Sequence, residues 1–246
     1  MSNRIHHTAV IGDGVELGEG NVIGPYAVLL GPAVIGDGNW IGPHVTIGTP
    51  ASDDAAPHPA GWEPGAGRGD PERVGYGVAI GNGNGIREYS SMHQGTWRTT
   101  RLGDRGYLLR GVHLAHDCLV GDRVVLGSNA VLGGHGEVWS HANLGLGVVV
   151  HQRRRIGPGA MVGMGAAVRS DVPAFTVSVG VPARVTGVNR TGLARLGVEQ
   201  EAIAALEPFL LGQRDDEPAA FPDDGVLGEG LTDLLASWHA RQERSG

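Results

Sequence analysis

Between Leu102 and Val168 the chain reads LGDRGY-LLRGVH-LAHDCL-VGDRVV-LGSNAV-LGGHGE-VWSHAN-LGLGVV-VHQRRR-IGPGAM-VGMGAA-V. Each block of six opens on an aliphatic residue: Leu102, Leu108, Leu114, Val120, Leu126, Leu132, Val138, Leu144, Val150, Ile156, Val162 and Val168. Glycine often follows (Gly103, Gly121, Gly127, Gly133, Gly145, Gly157, Gly163), and the fifth place is usually small or Val (Val112, Val124, Ala130, Ala142, Val148, Ala160). A spacing of six carries a side chain well past one helical turn, so these residues would smear around an α-helix rather than form a stripe. The period fits a parallel β-helix, each block giving a short strand and one corner of a prism. Three blocks complete a coil, and coils stack at the inter-strand spacing of ~4.8 Å.

Outward from this stretch the same frame opens the chain at Ile11, Leu17, Ile23, Leu29, Ile35, Ile41 and Ile47. It breaks from Thr49 to about Gly77, a Pro-, Gly-, Ala- and Asp-rich insertion of a length that is usually functional or disordered. The repeat resumes at Ile80, Ile86 and Met92, and a four-residue slip around Arg98 to Arg101 reads as a small corner loop. After Ala174 the pattern decays into Gly180-Val-Pro-Ala-Arg184. Leu193, Leu196, Ile203 and Leu206 then suggest one amphipathic helix ending near Pro208. An acidic linker (Asp215 to Asp224) precedes a second helix marked by Leu227, Leu231, Leu234, Leu235 and Trp238. The expected organisation is a repeat domain over 1–188, with the insertion 49–77, and a helical domain over 189–246 that caps an open end of the prism.

The formal charge is −7, every basic side chain is Arg, and there is no basic block to attract nucleic acid. A single cysteine, Cys118, excludes an internal disulfide framework and fits a reducing compartment. No apolar signal core or membrane-length stretch is visible, so the expected location is cytoplasmic, without membrane insertion.

Counting blocks in threes places His116, His135 and His151 on one face in successive coils. Counting back across the slip adds His93, and His113 lies at the adjoining corner. Histidine titrates near ~6.5 and is the natural general base at neutral pH. Zinc prefers three or four close His, Cys or carboxylate ligands, and zinc-binding hexapeptide-repeat proteins use a wider His spacing than the His113/His116 pair offers, so no metal is expected.

The stretch Gly111-Val-His-Leu-Ala-His-Asp-Cys118, followed by Leu132-Gly-Gly-His135 and Val150-His-Gln152, resembles the UDP-N-acetylglucosamine O-acyltransferases of lipid A synthesis. The resemblance continues through Asp171-Val-Pro173, Gly187-Val-Asn189 and Gly192 to Arg195, and covers most of the chain to Leu206. It implies a left-handed β-helix, assembled as a homotrimer with active sites between subunits. Periodicity alone does not set the hand, and parallel crossovers in ordinary sheets favour the right. The resemblance further implies that His116 is the general base, that Asp117 orients it or contacts the acceptor, and that the Gly134 N–H stabilises the oxyanion. His93, His113, His135, His151 and Gln152 take substrate-contact positions, and Asn189 and Arg195 those of contacts to phosphopantetheine or carrier protein. Neither a covalent acyl-enzyme nor a cofactor is implied, because the phosphopantetheine-borne thioester is a co-substrate. Cys118 reads as a packed small side chain rather than a nucleophile.

Three departures bear on specificity. The 49–77 insertion lacks the Lys that contacts the sugar nucleotide in the family, leaving Asp53, Asp54 or Arg68 as replacements. The Gly180–Arg184 segment is closer to hexapeptide transferases that use coenzyme A thioesters. Met164 stands where the family tunes acyl length, and a bulky side chain there implies a short or medium acyl chain. The expected activity is acyl transfer from acyl carrier protein or acyl-CoA to a hydroxyl of a nucleotide-sugar-like acceptor. The alternatives are O- or N-acylation of another small acceptor in specialised metabolism, and a non-catalytic trimeric binding scaffold.

Overall fold

The side chain that opens each block points into the prism, and along these short strands, most of two or three residues, its neighbours are generally more exposed. The computed structural model describes residues 2–53, 76–212 and 229–243. The aliphatic openers from Ile23 to Ile47 and from Ile80 to Val168 are buried, and so are the fifth-place residues Val112, Val124, Ala130, Ala142, Val148 and Ala160. At the N-terminal end, Ile11 and Leu17 are only partly covered. One continuous apolar column therefore runs through the solenoid, and each coil after the first adds a few fully buried side chains to it.

The fold is a left-handed parallel β-helix of about eight turns. Its three walls are sheets of ten, eight and seven strands. The first contains Tyr107–Leu108, Val125–Leu126, Asn143–Leu144 and Met161–Val162. The second contains Ser91–His93, His113–Leu114, Val131–Leu132 and Val149–Val150. The third contains Thr100–Leu102, Leu119–Val120, Glu137–Val138 and Arg155–Ile156. Register is kept between most neighbouring coils, as in His113 opposite Val131 and Val131 opposite Val149, and shifts between Met92 and His93, where His93 pairs with Thr49.

Corners form at the fourth place of the block, where the backbone enters the left-handed region: Arg105, Asp117, Arg123, Asn129, His135, His141 and Arg153 all have φ between 54° and 64°. This conformation is disfavoured for most L-residues but enriched in Asn, Asp and His. One corner carries a hydrogen-bond ladder, in which the N–H of each residue donates to the side chain one coil on: Glu19 to Asp37, Asp37 to Asn82, Asn82 to Asp104, Asp104 to Asp122, and Asp122 to Ser140.

Three sequence expectations change. The slip lies at residues 94–99 rather than at 98–101, since Thr100 and Arg101 already pair in the third sheet. The single helix near 190–208 is two, α1 (Arg190–Arg195) and α2 (Gln200–Leu210). Gly197, at φ 86°, ends α1: its N–H donates to the Ala194 carbonyl and that of Val198 to Leu193, while Val198 packs in the same cluster as Leu193. Pro208 sits inside the last turn of α2 and does not stop it there, because its missing N–H forfeits one bond while later residues still find acceptors. The decaying repeat after Ala174 becomes a hairpin, with Thr176–Val179 antiparallel to Arg184–Val188.

The second expected helix is α3 (Glu229–Glu243); Leu227 and the linker 215–224 lie outside the described residues. The helices share a second apolar cluster with Ala174, Phe175 and Val188 at the end of the solenoid. Trp238 of α3 packs edge-on against Trp139, so α3 lies on the flank of the third sheet rather than over the open end. Leu126→Ala, which empties a site with no exposure, is expected to cost roughly 2–5 kcal/mol in urea denaturation, whereas Arg101→Ala on the outer face should shift the midpoint little.

Candidate active site

The second sheet and the corner that leaves it bring the predicted histidines together. The His93 and His113 rings meet edge-on, with centroids 4.6 Å apart, and those of His116 and His135 likewise at 5.2 Å. His135 lies one coil from His116, because its N–H donates to the His116 carbonyl at 3.0 Å. His151 and Gln152 follow one coil further and are exposed, with His151 Nδ1 3.1 Å from the Gln152 carbonyl.

Asp117 is the centre of the site. Its corner conformation (φ 63°) turns its carboxylate out of solvent, leaving it with no exposure. The insertion at 94–99 folds over it: the N–H groups of Thr96, Trp97 and Arg98 donate to Oδ1 at 3.1, 2.9 and 2.7 Å. Thr96 Oγ1 donates to Oδ2 at 2.8 Å, and His116 Nδ1 lies 2.7 Å from the same oxygen. Burial opposes ionisation of this carboxyl, but the bonds from His116, Arg98, Trp97 and Thr96 outweigh it and hold it well below the usual carboxylate range. An ionised carboxylate only accepts, so His116 Nδ1 carries the proton and, in the neutral ring, Nε2 presents a lone pair.

The His116 ring lies against Gly134. A Cβ built on Gly134 would lie 2.5 Å from His116 Nε2 and 2.6 Å from Cε1, so only glycine leaves room for the ring. The Gly134 carbonyl accepts from the Arg153 N–H, while no acceptor among the described residues takes up the Gly134 N–H. At the ladder corner the equivalent N–H groups are occupied by side chains of the next coil. An imidazole and an unused backbone donor thus sit side by side, the kind of arrangement that can serve acyl transfer.

Burial disfavours the charged form of His93, His113 and His135. Burial, with help from His113 and His116, pushes His93 down to about 4. His113 is lowered by burial, and His135 by burial against the opposing pull of Asp117. His113 Nδ1 is hydrogen-bonded to Ser91 Oγ at 2.8 Å and His93 Nδ1 to Ser52 Oγ at 3.1 Å, which fixes both rings. Ser52 belongs to the start of the 49–77 insertion, which therefore begins beside the histidines. Asp53 is half-buried there, and Asp54 and Arg68 lie outside the described residues.

Other expected site residues stand apart. Met164 is 75% exposed at the corner that leaves the first sheet, not the second. Asn189 caps α1: its Oδ1 accepts from the Gly192 N–H at 3.0 Å and its Nδ2 donates to the Gly159 carbonyl at 2.9 Å. Arg195 is exposed in the last turn of α1. Cys118 is buried, its thiol donates to the Gly133 carbonyl at 3.4 Å, and burial pushes it up to about 12, so the thiolate a nucleophile needs is disfavoured. Ligand atoms of His116, Asp117 and His135 lie within 4.8 Å of one another, but a cation there would compete with the donors already held by Asp117.

Residues 171–210 match the family described as Udp N-acetylglucosamine O-acyltransferase, Domain 2. The acyl-[acyl-carrier-protein]–UDP-N-acetylglucosamine O-acyltransferase of Thiobacillus denitrificans is 40% identical over 142 residues, covering 56% of this chain and 54% of the relative. That of Burkholderia orbicola is 42% identical over 132 residues, or 52% and 50% of the two chains. The solved UDP-N-acetylglucosamine acyltransferase of Francisella novicida superposes with a TM-score of 0.66 at 27% identity, covering 82% of this chain and 77% of that one. The enzyme from Campylobacter jejuni gives 0.68 at 25%, covering 87% and 84%. By sequence and by fold, the chain is similar to the UDP-N-acetylglucosamine acyltransferases. The chain spans about half the length of the curated relatives it matches, while the structural likeness to these acyltransferases extends over most of the solenoid.

Sequence reasoning missed the 94–99 clamp. Its residues break the repeat, so period counting marks them only as a slip. It also missed Trp97, which is 67% exposed beside His135, with ring centroids 6.3 Å apart. The available signal was a lone Trp inside the insertion. Gly134→Ala is expected to displace the His116 ring while leaving the solenoid folded. A crystal structure of the variant showing the ring unmoved would contradict the packing described.

Proposed function

We propose that the chain is an acyltransferase that moves an acyl group from an acyl-carrier-protein or acyl-CoA thioester to a hydroxyl of a UDP-N-acetylglucosamine-like nucleotide sugar. The observation that carries this reading is the His116–Asp117 pair, with Nε2 open and the Gly134 N–H beside it. The relatives named above act on this donor and acceptor class by their printed names.

In this reading His116 Nε2 takes the proton of the acceptor hydroxyl as its oxygen attacks the thioester carbonyl. The tetrahedral oxyanion is held by the Gly134 N–H, a donor typically worth ~3 kcal/mol. Collapse breaks the C–S bond, and the imidazolium returns the proton to the leaving thiolate, giving an ester and a free thiol. Asp117 stabilises the transient imidazolium and keeps the ring oriented. No covalent intermediate, metal or other cofactor is needed, since the thioester is already activated and alignment of two substrates does much of the rest.

With their charged forms disfavoured, His93, His113 and His135 suit uncharged hydroxyl and amide groups of a sugar better than its phosphates. Trp97 offers an exposed aromatic face at the same edge. Outward-facing apolar residues at the later coils of the second sheet, Val131 and the half-exposed Val149, support a homotrimer whose neighbour completes the cleft. In such an assembly Met164 of an adjoining subunit would reach the acyl end, with Asn189 and Arg195 near the donor. A cytoplasmic location accords with the reading, and no helix among the described residues is long and apolar enough to cross a membrane.

With UDP-N-acetylglucosamine and panels of acyl-CoA and acyl-carrier-protein donors, thiol release should depend on the sugar nucleotide, and His116→Ala should remove most turnover while leaving assembly intact. Near-normal turnover in His116→Ala would end the base assignment, and tight acceptor binding without thiol release would favour a binding scaffold. Met164→Gly should shift preference toward longer donors, and an unchanged chain-length profile would remove Met164 from the acyl site.

A further inference from the structure

We propose that helix α3 holds the His116–Asp117 pair in place through a relay, Arg241–Glu137–Arg98, which makes these three side chains positioning residues. The proposal rests on the reading of His116 as the base, but the contacts that carry it do not.

Arg98 touches both halves of the site. Its N–H donates to Asp117 Oδ1 at 2.7 Å, its Nε to the Asp117 carbonyl at 2.7 Å, and one Nη to the His135 carbonyl at 3.4 Å. The other Nη donates to Glu137 Oε1 at 3.0 Å. The planar guanidinium thus spans the coil that bears the carboxylate and the coil that bears His135, with each of its three nitrogens donating. The loop that carries it is folded tightly on itself: a Cβ on Gly95 would fall within bonding distance of the Arg98 carbonyl oxygen.

Glu137 is unusual for an outward-facing strand residue, being only 7% exposed. A carboxylate buried there needs compensating cations, and it has two. Arg241 of α3 donates from Nε to Oε2 at 3.0 Å and from Nη to Oε1 at 2.6 Å, opposite Arg98. Burial raises the Glu137 carboxyl, but the bonds from Arg241 and Arg98 outweigh that and lower it overall. The end of α3 is held in turn by Trp238 on Trp139 and by Arg155, whose guanidinium donates to the Arg241 carbonyl at 3.2 Å.

Loss of Glu137 removes the carboxylate partner of Arg98. A guanidinium left without it is drawn toward solvent and takes with it the bonds to the Asp117 and His135 carbonyls. Loss of Arg241 weakens the same link from the far end. None of the three side chains is hydrogen-bonded to His116 itself, so substrate affinity should be spared while orientation of the base degrades.

The test uses the full chain with Glu137→Ala, Arg241→Ala and Arg241→Lys. Turnover is measured with separate KM values for donor and acceptor, and hydrogen–deuterium exchange is followed over residues 96–98. The expected result for Glu137→Ala and Arg241→Ala is a kcat lower by roughly 10- to 100-fold, with both KM values nearly unchanged. Exchange at 96–98 should quicken, and Arg241→Lys should recover part of the rate. Arg241 lies at the surface end of the relay, so it reports even where Glu137→Ala fails to fold. Wild-type kcat with unchanged exchange at 96–98 in Arg241→Ala would overturn the relay, as would losses that track only the fraction of folded protein. If the wild-type chain cleaves no thioester under any donor–acceptor pair, the proposed function falls. The exchange arm then decides the relay alone: faster exchange in Arg241→Ala sustains it and unchanged exchange overturns it.

Discussion

A carboxylate without solvent is the constraint around which this molecule is arranged. Taking an ion of that size out of water has an effective cost of several kcal/mol, and hydrogen bonds to charged groups contribute roughly 1.5–3 kcal/mol each. Asp117 has five such donors, three from the backbone of one short loop. That number is enough to keep it ionised in the interior, and an ionised Asp117 dictates which nitrogen of His116 carries the proton. The Asp117 N–H is fixed as well, donating to Thr100 Oγ1 at 2.8 Å on the neighbouring strand. The His116 ring is therefore oriented by a group that is itself over-determined.

The solenoid supplies this arrangement by repetition and then by interruption. Identical coils give a rigid spacing, so His116, Gly134 and Gln152 stack at equivalent places, and a side chain omitted at one level becomes room at the next. Glycine at 134 is that omission. The corner ladder of Asp, Asn and Ser shows what the same position does elsewhere, where it closes the backbone donors of the preceding coil. The second device is the break at 94–99, the one place between Ile80 and Val168 where the repeat gains residues. Extra chain at a corner has no strand to join, and its N–H groups turn to Asp117 instead.

The period from Leu102 to Val168 made the walls, the buried openers and the shared edge of His93, His116, His135 and His151 legible, because a strict repeat converts sequence distance into spatial distance. The side-chain roles within that edge were not legible. Neither Asp117 nor His135 announces that the fourth place is a left-handed corner, and the depth of Asp117 depends on a loop that period counting discards. Glu137 and Arg241, separated by 104 positions, meet only because α3 folds back along the third sheet. The helix boundary at Gly197 was within reach, since a glycine with Val198 behind Leu193 is a helix stop. The hydrophobic spacing on either side of it obscured that signal.

The claim on which the account turns is the tautomer of His116. Nitrogen-15 NMR of histidine-labelled protein at neutral pH reports it directly. The account predicts an imidazole protonated at Nδ1, with a one-bond N–H coupling there and the shift of an unprotonated nitrogen at Nε2. A proton on Nε2 in the neutral ring would mean that Asp117 does not hold the imidazole as described, and would contradict the account.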